Sequence, residues 1–211
     1  MTPPPDGPRP PRQKRSEETL GRILKGAQAV LAQQDLDEIS VEDIARQAGV
    51  SVGAIYTRFK SKEDLLAHLL DDIQRRQVEQ LTVILAPDRW RGVLLDARLD
   101  WLVDRLQASA RAQPGLLRAV FTRLLSQSLQ MNAGPAALNA ATVALISDWL
   151  LAADDGVTAP DPAIAAATTA GWLSYSVQMA MLYTFAFPGR EADAVTQELK
   201  RAALAALRPS A

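Results

Sequence analysis

Apolar residues recur along this chain at intervals of three and four, and they never alternate with polar ones over a useful length. The first spacing belongs to amphipathic helices and the second to half-buried strands, so the pattern predicts helix throughout. Leu20, Ile23, Leu24, Ala27, Val30 and Leu31 form one stripe. Ser16 can cap that helix, with Glu17 and Glu18 in its first turn, and Gln33–Asp37 closes it. Ser40, followed three residues later by Asp43, reads as a second cap that opens a short helix over Val41–Ala48. Gly49 suits a left-handed turn position. Ser51 opens another short helix over Val52–Phe59. Ser61 caps a long helix carrying Leu66, Leu69, Leu70, Ile73, Leu81 and Leu85, which ends at Pro87. Five further helices follow at Arg91–Ala112, Gly115–Gln130, Pro135–Ala153, Pro162–Phe187 and Glu191–Leu207. Pro135 and Pro162 are expected at first helical positions, where no N–H is needed.

Composition agrees with the pattern. The 211 residues include 36 Ala and 29 Leu against 13 Val and 8 Ile, a ratio that favours helix over strand. The expected fold class is all-α. Its absent residues close off much chemistry. With no cysteine, disulfides, thiol catalysis and Cys-ligated metals are excluded, and any imidazole role rests on His68 alone. His68 sits among Leu65, Leu66 and Leu69, which points to a structural role. No cofactor is expected.

Net charge is −1, so the distribution says more than the sum. Residues 1–15 hold six prolines with Arg9, Arg12, Lys14 and Arg15, the composition of a flexible basic tail. That tail is read as solvated, with a DNA minor groove as its other use. No apolar leader segment follows it, which gives a cytoplasmic expectation. Between residues 114 and 189 only Arg118, Arg123, Asp148, Asp154, Asp155 and Asp161 are charged. Residues 162–189 have no charge at all, yet they are Ala-rich, carry several Ser and Thr, and lack basic flanks. A helix buried in an assembly fits them better than a membrane span.

Residues 40–62 carry the functional signal. Two short helices meeting at a Gly-containing turn form the helix-turn-helix pattern. Between Ile44 and Lys62 stand Arg46, Arg58, Lys60 and Lys62 and no acid, the footprint of a phosphate-binding module on a near-neutral chain. The string Asp43-Ile44-Ala45, Ala48-Gly49-Val50-Ser51, Ile55-Tyr56, Phe59 and Ser61-Lys62-Glu63-Asp64-Leu65-Leu66 resembles the DNA-binding domain of the TetR family of transcriptional regulators. The resemblance covers about residues 16–66. Val41 stands where that family often has Thr, and Arg58 where it often has His.

The resemblance implies a homodimer with an N-terminal three-helix DNA-binding domain and a larger C-terminal helical bundle for ligand binding and dimerisation. The expected division is a tail over 1–15, a helix-turn-helix domain over 16–61 and a C-terminal domain over 62–211. The expected function is that of a ligand-responsive regulator, a repressor released from a near-palindromic double-stranded operator by a small apolar or aromatic effector. The rival reading is a helical carrier or enzyme with the short helices as a docking module. Ser40, Ser51, Val52, Gly53, Ala54, Tyr56, Thr57, Arg58 and Lys62 are the expected DNA-facing residues. Val52 and Ala54 can touch only thymine methyls, which leaves Thr57 and DNA shape to carry much of the specificity.

Trp101, Phe121, Trp149, Trp172, Tyr175 and Met179 are the candidates for an apolar pocket, with ordinary core as their other reading. Arg118, Arg123 and Asp148 stand in charge-poor surroundings, where they would pair together, orient a charged ligand or lie at the surface. Ala163, Ala167 and Gly171 make a smooth stripe every four residues. With Leu199, Ala203 and Ala206 they are the expected dimer interface.

Overall fold

The computed structural model describes residues 11–34, 38–120, 133–182 and 191–209. All regular structure among them is helical: α1 (Pro11–Leu31), α2 (Val41–Ala48), α3 (Val52–Tyr56), α4 (Lys62–Ile84), α5 (Leu95–Ala112), α6 (114–120), α7 (Ala133–Leu151), α8 (Pro162–Leu182) and α9 (Ala192–Leu207), with a 3-10 turn at Pro87–Arg89. The fold class is all-α. The helix α1 starts five residues before the Ser16 cap that the sequence suggests, because Pro11 lacks the N–H that a first turn leaves unpaired. Pro135 falls third in α7 rather than first. No described helix is long and apolar enough to cross a membrane.

The chain divides into two compact units at Asp71/Asp72, within α4. In the first unit α1 packs on α2, and α2 on α3. Ile23, Ala27, Val30, Leu31, Ile44, Ala45, Ile55, Phe59, Leu65 and Leu69 are buried, so the apolar stripes of the sequence become its core. His68 is exposed and lies edge-on to Phe59, with ring centres 5.6 Å apart.

The second unit is a bundle in which α8 packs against α5, α7 and α9. Its core includes Leu95, Leu99, Leu102, Ile146, Trp149, Leu150, Leu173, Val177, Ala203 and Leu207. Ala166 and Ala170 are fully buried on α8, where a small side chain lets neighbouring helices approach. Leu94 precedes α5 and offers no side-chain cap. Asp155 replaces it, accepting the Leu95 N–H at 2.8 Å from 60 residues away. Arg208 then pairs with Asp155 at 2.6 Å and donates to the Gly156 carbonyl.

Candidate nucleic-acid interface and ligand cleft

The first unit is built around one turn. Ser40 has extended backbone, and its hydroxyl accepts the Asp43 N–H at 3.1 Å, which starts α2. The same hydroxyl bonds the Asp43 carboxylate. With Arg46 at 2.9 Å, that bond holds the acid below the usual aspartate range despite some desolvation. Gly49 ends α2 at φ 62°, in the left-handed region. Val50 N–H then reaches back to the Ala45 carbonyl at 3.0 Å. Ser51 accepts the Ala54 N–H and starts α3, and Ser61 accepts the Asp64 N–H and starts α4.

Two residues that the sequence reading passed over hold this turn in place. Arg22 of α1 donates to the Ala48 carbonyl at 3.1 and 3.0 Å, and also to that of Gly49. It thereby caps the last carbonyls of α2, beyond those of Ala45 and Arg46 that the Gly49 turn already pairs. Gly26 lies so close to α2 that a Cβ there would meet Ala48 Cβ at 2.8 Å and its backbone N at 2.9 Å. The signal was present as a glycine inside an apolar stripe, but only the packing shows what it faces.

With Ile55 buried, α3 turns its other residues outward. Tyr56 is 52% exposed, an unusual position for a large aromatic ring. Ser51, Gly53 and Thr57 are exposed, and Val52, Ala54 and Arg58 are half-buried. A Cβ on Gly53 would find, among the described residues, only Ser51 Oγ, 4.0 Å away, so none of them requires a glycine there. Thr57 Oγ1 donates to the Gly53 carbonyl. Arg58 donates to the Ala54 carbonyl and to Ser16 Oγ at 3.3 Å. Lys62 donates from Nζ to the Ile39 carbonyl at 3.1 Å, so it also ties the loop before α2.

In the second unit three indoles meet. Trp90, Trp101 and Trp149 stand edge to face, with centres 5.0, 4.7 and 5.5 Å apart. Beside them Arg98 is 2% exposed. Its guanidinium donates to the carbonyls of Val93 (3.0 Å), Trp90 (2.8 Å), Ala152 (2.9 Å) and Trp149. It also lies 5.6 Å from the Trp149 ring and 6.0 Å from that of Trp90. Burial pushes its pKa below the usual arginine range, and Asp154 and Asp155 oppose that shift. An open cleft of about 430 Å³ adjoins this cluster. Thr82, Leu85, Pro87, Trp90, Arg98, Leu145, Asp148, Trp149, Ala152 and Asp154 are among its walls.

The expected pocket residues do not converge on one place. Trp149 lines the cleft, and Trp101 stacks on Trp149 without lining it. Trp172, Tyr175 and Met179 are half-buried on α8, where Tyr175 donates to Asn139 Oδ1 at 2.8 Å. Burial raises the Tyr175 pKa above its ordinary value. Phe121 lies outside the described residues. Of the expected interface, Ala163, Ala167 and Ala206 are exposed and Gly171 and Leu199 half-buried, whereas Ala203 is fully buried in its own chain's core. Ile164, which was not in that set, is 65% exposed beside them. Trp90 and Arg98 were also missed. Their partners are backbone carbonyls, which a sequence does not advertise.

A three-helix unit with a capped helix-turn-helix, followed in the chain by a larger helical bundle, places this fold in the helix-turn-helix class. Residues 23–69 match the model of the bacterial regulatory proteins of the TetR family. The match places a TetR-family N-terminal domain on the helix-turn-helix unit. An uncharacterized HTH-type transcriptional regulator of Mycobacterium tuberculosis is 34% identical over 101 residues, 48% of this chain and 52% of that protein. The chain thus spans about half the length of the curated relatives it matches. The fold is also that of the fatty acid degradation regulator FadR from Bacillus halodurans (TM-score 0.62, 19% identity, 97% of this chain and 99% of that one). FadR from Bacillus subtilis in complex with stearoyl-CoA is similar as well (TM-score 0.58, 18% identity, 89% of this chain and 99% of that one).

Proposed function

We propose that this protein is a homodimeric transcriptional repressor that leaves a near-palindromic operator when a small apolar or aromatic molecule binds its C-terminal unit. The observation that carries the reading is α3. It exposes Tyr56 and Thr57 and places at Gly53 a residue that destabilises helices by about 1 kcal/mol relative to alanine, with open space where a side chain would fit. Close approach to a DNA major groove accounts for both features. Ser51, Val52, Gly53, Ala54, Tyr56 and Thr57 face the bases in this reading, while Ser40, Arg58 and Lys62 meet the backbone. Two such helices in a dimer would read half-sites about 34–36 Å apart.

The uncharged, exposed face of α8 at Ala163, Ile164 and Ala167, with Ala206 of α9, supports dimerisation there. The indole-lined cleft supports a small-molecule effector, and the complex of Bacillus subtilis FadR with stearoyl-CoA supports ligand binding by a bundle of this fold. Ligand binding shifts the equilibrium only if the two states differ in affinity for it. The family reading assigns switching rather than catalysis, and a site in the cytoplasm accords with DNA as the partner.

Selection of an operator from random DNA, followed by a salt titration, tests this. Log affinity should fall linearly with log salt, by about 0.9 per phosphate neutralised. A flat line, or no enriched sequence, overturns the DNA reading.

A further inference from the structure

The cleft of the second unit contains charge that its own chain leaves unanswered. Its walls hold Arg91, Arg98, Asp148 and Asp154. Both arginines are engaged. Four hydrogen bonds to carbonyls occupy Arg98, and Arg91 pairs with Asp88 at 2.8 Å. The Asp148 carboxylate is exposed and forms no ion pair or hydrogen bond with any described residue. The exposed Asp154 faces Arg98 only through space. On the same wall, buried Trp149 has an indole Nε1 with no acceptor among the described residues.

The rest of the lining is apolar or aromatic: Leu85, Ala86, Pro87, Trp90, Leu145 and Ala152. Asp148, with no ionic partner among the described residues, can neutralise a cation, whereas Asp154 already faces the Arg98 charge that lies against the Trp90 and Trp149 rings. An anion would instead meet Asp148 and Asp154, and would find four of the five guanidinium N–H groups of Arg98 already taken. A volume of about 430 Å³ suits a compact molecule.

We infer that this cleft binds an apolar or aromatic molecule bearing one protonated nitrogen, with its body against Leu85, Pro87, Leu145 and Trp90 and its cation toward Asp148. Thr82 in the last turn of α4 and Leu85 just beyond it form part of the wall, so the occupant touches that helix. A regulatory role for this molecule rests on the proposed function; its binding does not.

Calorimetry on the full chain without DNA tests the site with three probes: protonated naphthylmethylamine, neutral naphthylmethanol and anionic naphthoate. The amine should bind about tenfold tighter than the alcohol, the scale of one charge-assisted contact, and naphthoate weakest. Asp148→Asn should bring the amine down to the alcohol's affinity and leave the alcohol unchanged. Leu145→Trp, which fills the cleft, should abolish binding of both. Equal binding of amine and alcohol, tightest binding of naphthoate, or an amine advantage that survives Asp148→Asn overturns the proposal, as does undiminished binding by a folded Leu145→Trp variant. Because DNA is absent, a chain that fails to bind any operator overturns the regulator reading and leaves this result standing.

Discussion

The two units of this protein are specified in different ways. In the first, most side-chain bonds that shape the backbone are local: Ser40 to Asp43, Ser51 to Ala54 and Ser61 to Asp64, each three residues apart. Arg22, reaching 26 residues to Ala48, is a long-range addition that caps a turn already set by Gly49. In the second unit the deciding bonds are long. Arg98 reaches Trp149 and Ala152, Leu95 is capped by Asp155, and the Thr158 and Ala159 N–H groups bond the Leu207 carbonyl. A turn specified mainly by local bonds holds its geometry within a few residues, which is what the proposed reading of DNA by α3 asks of it. The bundle depends instead on bonds between segments far apart in the chain, which also form the walls of its cleft.

The largest test of this contrast is Arg98→Ala. It removes the donor from the carbonyls of Val93, Trp149 and Ala152, while that of Trp90 keeps the Val93 N–H; at roughly 1–3 kcal/mol for each when buried, the second unit should lose at least about 3 kcal/mol in denaturant melts followed by tryptophan fluorescence. A loss under about 1 kcal/mol, the value of one ordinary hydrogen bond, would make Arg98 a bystander.

Gly26→Ala comes next. Its Cβ would clash with backbone as well as side chain of Ala48, and overpacking of this kind costs about 1–3 kcal/mol. The thermal midpoint should fall, and DNA affinity with it, because the clash pushes on the helix-turn-helix itself. An unchanged midpoint would show that α1 and α2 have slack.

Asp155→Asn is smaller and depends on pH. Burial pushes the Asp155 carboxyl up, but the Leu95 N–H and the Arg208 guanidinium outweigh it and hold the group below its ordinary value of 3.8. A depressed carboxyl stabilises the fold fully above its unfolded pKa and loses that contribution as pH falls through the folded one. The variant should therefore be about 1 kcal/mol less stable near neutral pH, the worth of a helix cap, and should match the natural chain well below pH 3.8. A stability gap that persists in acid would assign the effect to packing.

Gly53→Ala should change stability least, and slightly for the better, by up to about 1 kcal/mol. It should nonetheless abolish or severely weaken operator binding in a fluorescence anisotropy titration. Beside Gly26→Ala it separates a glycine required by the fold from one required by a partner. Full affinity in a stable Gly53→Ala variant would remove the main support for the DNA-facing role of α3.

Much of the first unit was legible without coordinates. The bounds of α2, the left-handed Gly49 and the three Ser caps follow from chemistry within a few residues, which a linear string displays. The start of α1 was misplaced because Pro11 and Ser16 are both credible helix openers and only the folded chain selects one. In the second unit the helices and their Ala-rich faces were legible, since helical period and propensity are also local. The gathering of Trp90, Trp101 and Trp149 was not, and neither was the burial of Ala203 rather than its display. Aromatic residues far apart in sequence carry no mark of which neighbour they will face.

The sequence by itself determined an all-helical chain, the position of the helix-turn-helix and the residues that α3 leaves free, because periodicity, caps and glycine turns act over one or two helical turns. Tertiary structure alone decided that Gly26 is closed off and Gly53 open, that Arg98 staples the bundle through backbone carbonyls, and which tryptophans wall a cleft. Each of those depends on the distance between elements brought together by packing, and no property of either partner alone encodes that distance.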